Sequence, residues 1–394
     1  MKSLLREDSD YYSGLREAAF SLAVRMHAGD IAQLLLHHGA DSSQCRPDEL
    51  VALRDAVDSG SPALVEALLD HGIRARYPES ELLEMRELAC RWHEAGVEAE
   101  LRRRTGSSDQ LVRTQVQDDE HDTVSEFALG GMSVRNGHSA ILTDVEELLG
   151  IRASFEELMA RALAHDPDHS AWGRAVLLLA GRRDHVTWEA AAALRTHPEP
   201  SHRLFGAEVL RFTHLFDDRD EDAFAAPALE IFTEWSADET DLAVLTRVLG
   251  ALGQHADVRA EATLVAYADH ADAGVRRTVA DGFGTSPERT CFPDDVRKAL
   301  LVLMTDADAT VRRHACIKVA ESRDRDPVLA HAMAALLDDA DREVQVVAVH
   351  GLAHHDDERC VEAARRLGPP QPGSLEEEDY LFSARRYEWR RDGL

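Results

Sequence analysis

Apolar residues recur through most of this chain at helical spacing, in runs of ten to fifteen residues separated by short acidic or glycine-containing turns. The stretch TDADATVRRHACIKVAE, Thr305 to Glu321, shows the pattern. Val311, Ala315 and Val319 recur every four residues, which draws one apolar stripe along a helix. The stripe returns in HADAGVRRTVADGFG from His270 and in DDADREVQVVAVHGL from Asp338. In register, Asp272, Asp308 and Asp341 fall together and Val275, Val311 and Val344 follow three residues later. Weaker copies begin at His165 and at His197, where Arg203 takes the place of Arg276. First helices such as VRKALLVLM from Val296 and VLAHAMAALL from Val328 lie between them, giving about six helix pairs.

The first hundred residues repeat differently. LREAAFSLAVRMHAGDIAQLLLHHGAD is followed by LVALRDAVDSGSPALVEALLDHGIRAR, so that Gly29 answers to Gly60 and His38-Gly39 to His71-Gly72. Each unit reads as a helix, a glycine turn and a second helix ending at glycine. A third apolar pair spans about Glu81 to Gly106. Segment 107–150 has a Gly, Ser and Asp-rich texture and reads as a linker or ordered insert with a capping helix, ILTDVEELLG. GPPQPG, Gly368 to Gly373, stops the second array. Beyond it, SLEEEDYLFSARRYEWRRDGL predicts a helix capped by Ser374, acidic in its first turn and basic in its last.

LLLHHGAD, Leu34 to Asp41, resembles the end of an ankyrin repeat, and LLDHGIR, Leu68 to Arg74, resembles it more distantly; the TPLH opening of that family is missing from both. The pattern D-x-x-V-R-x-x-x-(A/V) resembles bacterial HEAT-like repeats. These resemblances imply an all-α fold: a short ankyrin-like array over 1–106, the insert over 107–150, a HEAT-like α-solenoid over 151–368, and a Pro-rich linker with a charged aromatic tail over 369–394.

Charge narrows the partners. With Lys+Arg 44 against Asp+Glu 73, the net charge is −29, which repels phosphate backbones and anionic lipid. Nucleic acid is therefore a poor partner, and a basic protein or peptide is the expected one. Nearly all basic residues are Arg, a bias expected of a bacterial protein. MKSLLREDSDYY carries charges where a signal peptide needs an apolar run, and no window has the length of a membrane span, so a cytoplasmic protein is expected. Cys45, Cys90, Cys291, Cys316 and Cys360 lie far apart and read as reduced thiols.

Candidate chemistry is sparse. Asp272, Asp308 and Asp341 stand where a carboxylate caps a helix, and Arg276 and Arg312, four residues past the first two, can pair with the cap or with the Asp of the next repeat. This reads as a structural ladder. Arg277 and Arg313 vary between repeats and are candidate partner contacts, with Arg54, Asp58 and Glu66 in the ankyrin-like region. His350 and His354 share a helical face, as two metal ligands would, but spacing defines no third ligand. DDRDEDAF, Asp217 to Phe224, imitates a calcium loop and lacks its Gly and its final Glu. Deoxyhypusine hydroxylases, HEAT-repeat enzymes, bind iron through repeated His-Glu pairs; this chain has one, His93-Glu94, outside the HEAT-like region. No P-loop, dinucleotide fingerprint or nucleophile elbow is evident. The expected function is a non-enzymatic scaffold, without cofactor, that holds a basic protein or peptide on a concave acidic surface. The alternative is an enzyme or enzyme subunit that modifies a peptide or nucleic acid in the HEAT-like groove. Its least remote nucleic-acid case is an AlkD-type DNA glycosylase gripping DNA through Arg276, Arg277, Arg312 and Arg313.

Overall fold

The computed structural model describes residues 18–20, 22–23, 26, 28–37, 50–69, 77–119, 121–215, 223–255, 257–284, 291–322 and 324–392. Several sequence expectations lie outside them: the turns at 38–41 and 70–74 that carry the ankyrin-like signature, Cys45, and the acidic run 217–222. The chain is predominantly α-helical and divides into two compact units, Met1–Ala190 and Ala191–Leu394.

The first unit opens with α1 (Gly29–His37), α2 (Leu50–Ser59), α3 (Pro62–Leu69), α4 (Glu79–Ala95) and α5 (Val97–Thr105). The all-helical expectation fails next. Val112–Gln117, Thr123–Leu129 and Met132–Arg135 form β1, β2 and β3 of an antiparallel sheet in that order. Val112 pairs with Ala128 and Phe127 with Val134, and Gly130-Gly131, both at positive φ, make the tight turn between β2 and β3. Then come α6 (His138–Leu148), α7 (Phe155–Leu163), α8 (Ser170–Arg182) and α9 (His185–Ala193), the last running across the unit boundary.

The sheet is built into its unit. Asp118, at the end of β1, accepts the Ala63 N–H at 2.8 Å and the Ser61 hydroxyl at 2.9 Å, so it caps α3 from a distant part of the chain. Arg135 on β3 pairs with the same carboxylate at 2.9 Å. α1 packs on α3, α3 on α6 and α6 on α8, while α4 packs along α6. Gly29 and Gly60 mark close approaches in this row. A Cβ at Gly29 would stand 2.7 Å from the Ala63 Cβ, and one at Gly60 only 2.0 Å from the Arg135 carbonyl oxygen.

The second unit continues with α10 (Pro200–Leu215), α11 (Ala225–Asp238), α12 (Leu242–Leu252), α13 (Val258–Val265), α14 (Ala273–Gly282), α15 (Asp294–Leu303), α16 (Ala309–Glu321), α17 (Pro327–Ala335), α18 (Arg342–His354), α19 (Arg359–Leu367) and α20 (Leu375–Asp392). Even-numbered helices pack successively on one another from α10 to α20, and odd-numbered helices do so from α11 to α17. Their shared core is the stripe that recurs in the sequence: Val275 and Val279, then Val311, Ala315 and Val319, then Val344, Ala348 and Leu352, all fully buried. The tail helix α20 lies on α18 and buries Leu381 and Ala384.

Candidate functional site

Each of α12, α14, α16 and α18 begins at an aspartate whose side chain accepts first-turn N–H groups: Asp241, Asp272, Asp308 and Asp341. These oxygens are spent on caps. The repeat-to-repeat pairs form instead on the carboxylate two positions before the cap. Arg276 donates to both oxygens of Asp306 at 2.6 and 2.8 Å, and Arg312 to both of Asp339 at 2.8 and 2.7 Å. Arg203 holds Glu239 in the same way at 2.9 and 2.8 Å. Asp306 and Asp339 in turn accept the N–H groups of Asp308 and Asp341 at 2.8 and 2.9 Å. A continuous chain of bonds thus runs from an arginine, through the carboxylate of the next turn, to the cap that starts the next helix. The Arg276 guanidinium beside Asp306, and that of Arg312 beside Asp339, hold both carboxyls below the usual range.

Sequence reasoning allowed Arg312 to pair with Asp308. The structure corrects this, because a carboxylate turned into its own helix terminus has little left for a cation four residues on.

A hollow of about 400 Å³ opens on the even-numbered row over Gly250, Gly253 and Gly282. Arg211 of α10, Arg247 of α12 and Arg277 of α14 border it. The space exists because Gly250 has no side chain: a Cβ there would meet only the Thr278 methyl, at 3.7 Å. Gly253 and Gly282 bring α12 and α14 together, since a Cβ on Gly253 would lie 2.4 Å from the Gly282 Cα. Arg247 pairs with Glu208 at 3.0 Å, whereas Arg211 donates to the Gln254 amide oxygen at 3.1 Å. Burial first, and the neighbouring Arg247 second, push Arg211 below the usual arginine range, with Glu208 acting against them. Arg277 is exposed and makes no ion pair within the described residues. Asp281, also at the rim, lies 2.6 Å from His314. The hollow can therefore hold an anionic group.

The other predicted positions are scattered. Asp58 is not a free contact, because it clamps Arg104 at 2.6 and 2.8 Å and accepts the Trp92 N–H at 2.8 Å. Glu66 pairs with Arg174, and exposed Arg54 lies 4.0 Å from Glu84. Arg313 bonds Glu376 of the tail helix at 2.7 Å, which withdraws it from a partner. With Arg276 and Arg312 held in the ladder, three of the four arginines proposed for gripping DNA are engaged. The His350 and His354 rings lie 4.2 Å apart, tilted by 38°, beneath the tail, where Ser383 Oγ lies 2.9 Å from His350 Nδ1 and the Tyr380 ring lies 4.4 Å from that of His350. Within the described residues no three His, Cys, Asp or Glu are arranged to hold a metal, and no helix is long and apolar enough to cross a membrane.

Sequence reasoning singled out Arg277 but missed Arg211 and Arg247. The available signal was Gly250, a helix-interior glycine that weakens α12 by about 1 kcal/mol relative to alanine and so calls for a reason.

No protein family and no curated protein matches the chain. Among solved structures, the X-ray structure of YibA from E. coli superposes with a TM-score of 0.44 at 15% identity, covering 60% of this chain and 93% of that one.

Proposed function

We propose that the second unit is an α-solenoid of HEAT-like repeats, preceded in the chain by ankyrin-like helix pairs, and that it serves as a scaffold for a protein partner. The partner inserts an acidic segment into the hollow over Gly250. The observation that carries this reading is the grouping of Arg211, Arg247 and Arg277 around a side-chain-free floor in a chain of net charge −29. Total charge argued for a basic partner. Local charge argues the reverse, because many carboxylates of this unit are consumed by the ladder and the caps, whereas the arginines of the hollow outnumber their acids. Complementary potential there favours encounter with carboxylates.

The test is a titration of the full chain with fluorescein-labelled oligo-glutamate and oligo-lysine peptides at low salt, followed by anisotropy. Oligo-glutamate binding that weakens at least tenfold in the Arg211→Glu, Arg277→Glu double variant supports the reading. Preferential binding of oligo-lysine would return the argument to a basic partner.

A further inference from the structure

A second hollow, of about 640 Å³, lies within the first unit, where α4 turns into α5 at Gly96 and β3 turns into α6. Trp92, Val97 and Phe127 supply apolar lining, and His93, Ser139 and His165 supply the polar part. Ser139 is the second residue of α6 and is 3% exposed. Its Oγ lies 2.9 Å from His93 Nδ1 and 3.5 Å from His165 Nε2.

Both imidazoles are neutral at pH 7, because burial pushes His93 down and His165 down to about 4. His165 is held in place. Its ring stacks on His169 at 3.8 Å and 6°, and His169 is fixed by the Ala171 N–H at 3.1 Å and by Asn136 Oδ1 at 2.9 Å. A serine hydroxyl has one proton to give, and the neutral His93 tautomer that carries its proton on Nε2 presents Nδ1 to take it. Helix α6 starts without a side-chain cap at Gly137, so its positive end lies beside Ser139, where negative charge on a reacting carbonyl oxygen would be favoured.

We propose that Ser139 is the nucleophile, and His93 the base, of a site that hydrolyses short apolar carboxylic esters. Ser139 Oγ adds to the ester carbonyl carbon while its proton passes to His93 Nδ1. The bond to the alcohol oxygen then breaks, and the alcohol leaves with that proton. Water gives a proton to His93 and adds to the acyl carbon. The bond to Ser139 breaks, Oγ recovers the proton, and the carboxylic acid departs. The apolar lining receives the acyl chain, and the volume limits its length. This departs from the non-enzymatic expectation for the whole chain and is independent of the arginine hollow. Its sequence signal is the strand-turn-helix run SVRNGHSAIL, which lacks the second glycine of a nucleophile elbow.

Two measurements on the full chain decide it. In the first, a biotinylated fluorophosphonate is incubated with the protein and located by peptide mass spectrometry; the label is expected on Ser139. In the second, p-nitrophenyl acetate hydrolysis is followed at pH 7.5, with Ser139→Ala expected to abolish the activity and His93→Gln to lower it at least 100-fold, both checked by circular dichroism. Label on another residue or none, or wild-type hydrolysis no faster than that of Ser139→Ala, overturns the proposal. Labelling is read on the unaltered chain, so a variant that misfolds does not shelter it.

Discussion

Arg312 grips Asp339 through two hydrogen bonds of 2.8 and 2.7 Å, and Asp339 passes the connection on by accepting the Asp341 N–H at 2.9 Å. One pair therefore both ties α16 to the following turn and positions the cap of α18. The third guanidinium nitrogen closes the preceding turn by donating to the Asp306 and Ala307 carbonyls at 2.8 and 3.1 Å.

Arg312→Ala strands the Asp339 carboxylate, whose side chain is 7% exposed, and should destabilise the second unit by about 3 kcal/mol. Arg312→Lys should recover only a small part of this, since an ammonium cannot reproduce the fork and the two carbonyl bonds together. Denaturant midpoints with unchanged slopes would verify both, and a double-mutant cycle with Asp339→Ala would isolate the pair.

Acid should unfold the protein in two stages. Burial holds His138 and His350 at about 4 and His169 at about 3, against an ordinary value of 6.5. Their pKa values are lower in the folded chain, so the unfolded chain binds protons first as pH falls. The neutral histidines therefore contribute stability that is fully present above about pH 6.5 and drains away between there and about pH 4, or about pH 3 for His169, at roughly 1.4 kcal/mol per pH unit for each group. Glu239 follows. Burial alone would raise it, but hydrogen bonds from Arg203, the Asp241 N–H and Trp235 outweigh burial and bring it to about 2. Its contribution is lost from about pH 4.5 downward. Melting temperature measured from pH 8 to pH 3 should fall monotonically, with the first decline already visible at pH 6.

The two glycines of α12 and its C-terminus should respond in opposite senses. Gly250→Ala places a methyl in ordinary contact with the Thr278 methyl, at 3.7 Å, and should raise stability by up to about 1 kcal/mol. Gly253→Ala drives a methyl against the Gly282 backbone and should cost about 2 kcal/mol or more. A larger side chain at Gly250, such as Met, should leave folding intact and block oligo-glutamate binding. Thermal melts and the anisotropy titration check the three variants.

Removing residues 369–394 should destabilise the second unit and make it prone to associate. Truncation uncovers the α18 face beneath Tyr380, Leu381 and Ala384 and breaks the 2.6 Å Arg342–Glu377 bond. A lower melting temperature and a concentration-dependent elution volume are expected.

Much of the helical organisation was legible because its causes are local. A carboxylate before a helix, as at Asp308, and a stripe such as Val311, Ala315 and Val319 are set by residues within a few positions of one another. The sheet at 112–135 was missed because strands of six, seven and four residues, one of them almost wholly exposed, leave only a short alternation that reads equally well as polar loop. The tail helix could be read from Ser374 and its charge gradient, and Tyr380, Leu381, Tyr387 and Trp389 favoured its packing back on the array over binding a partner, but not that α18 is the helix it meets.

The sequence by itself determined where most helices begin, which face of each is apolar, and that the units repeat, since periodicity and capping depend on neighbours along the chain. Only the tertiary structure decided which charges are spent and which remain available. Whether an arginine meets a carboxylate depends on residues about thirty positions away, as with Arg276 and Asp306, and on the gap left by Gly250. In the same way, His93, Ser139 and His165 come from separate helix ends and meet only when the first unit folds.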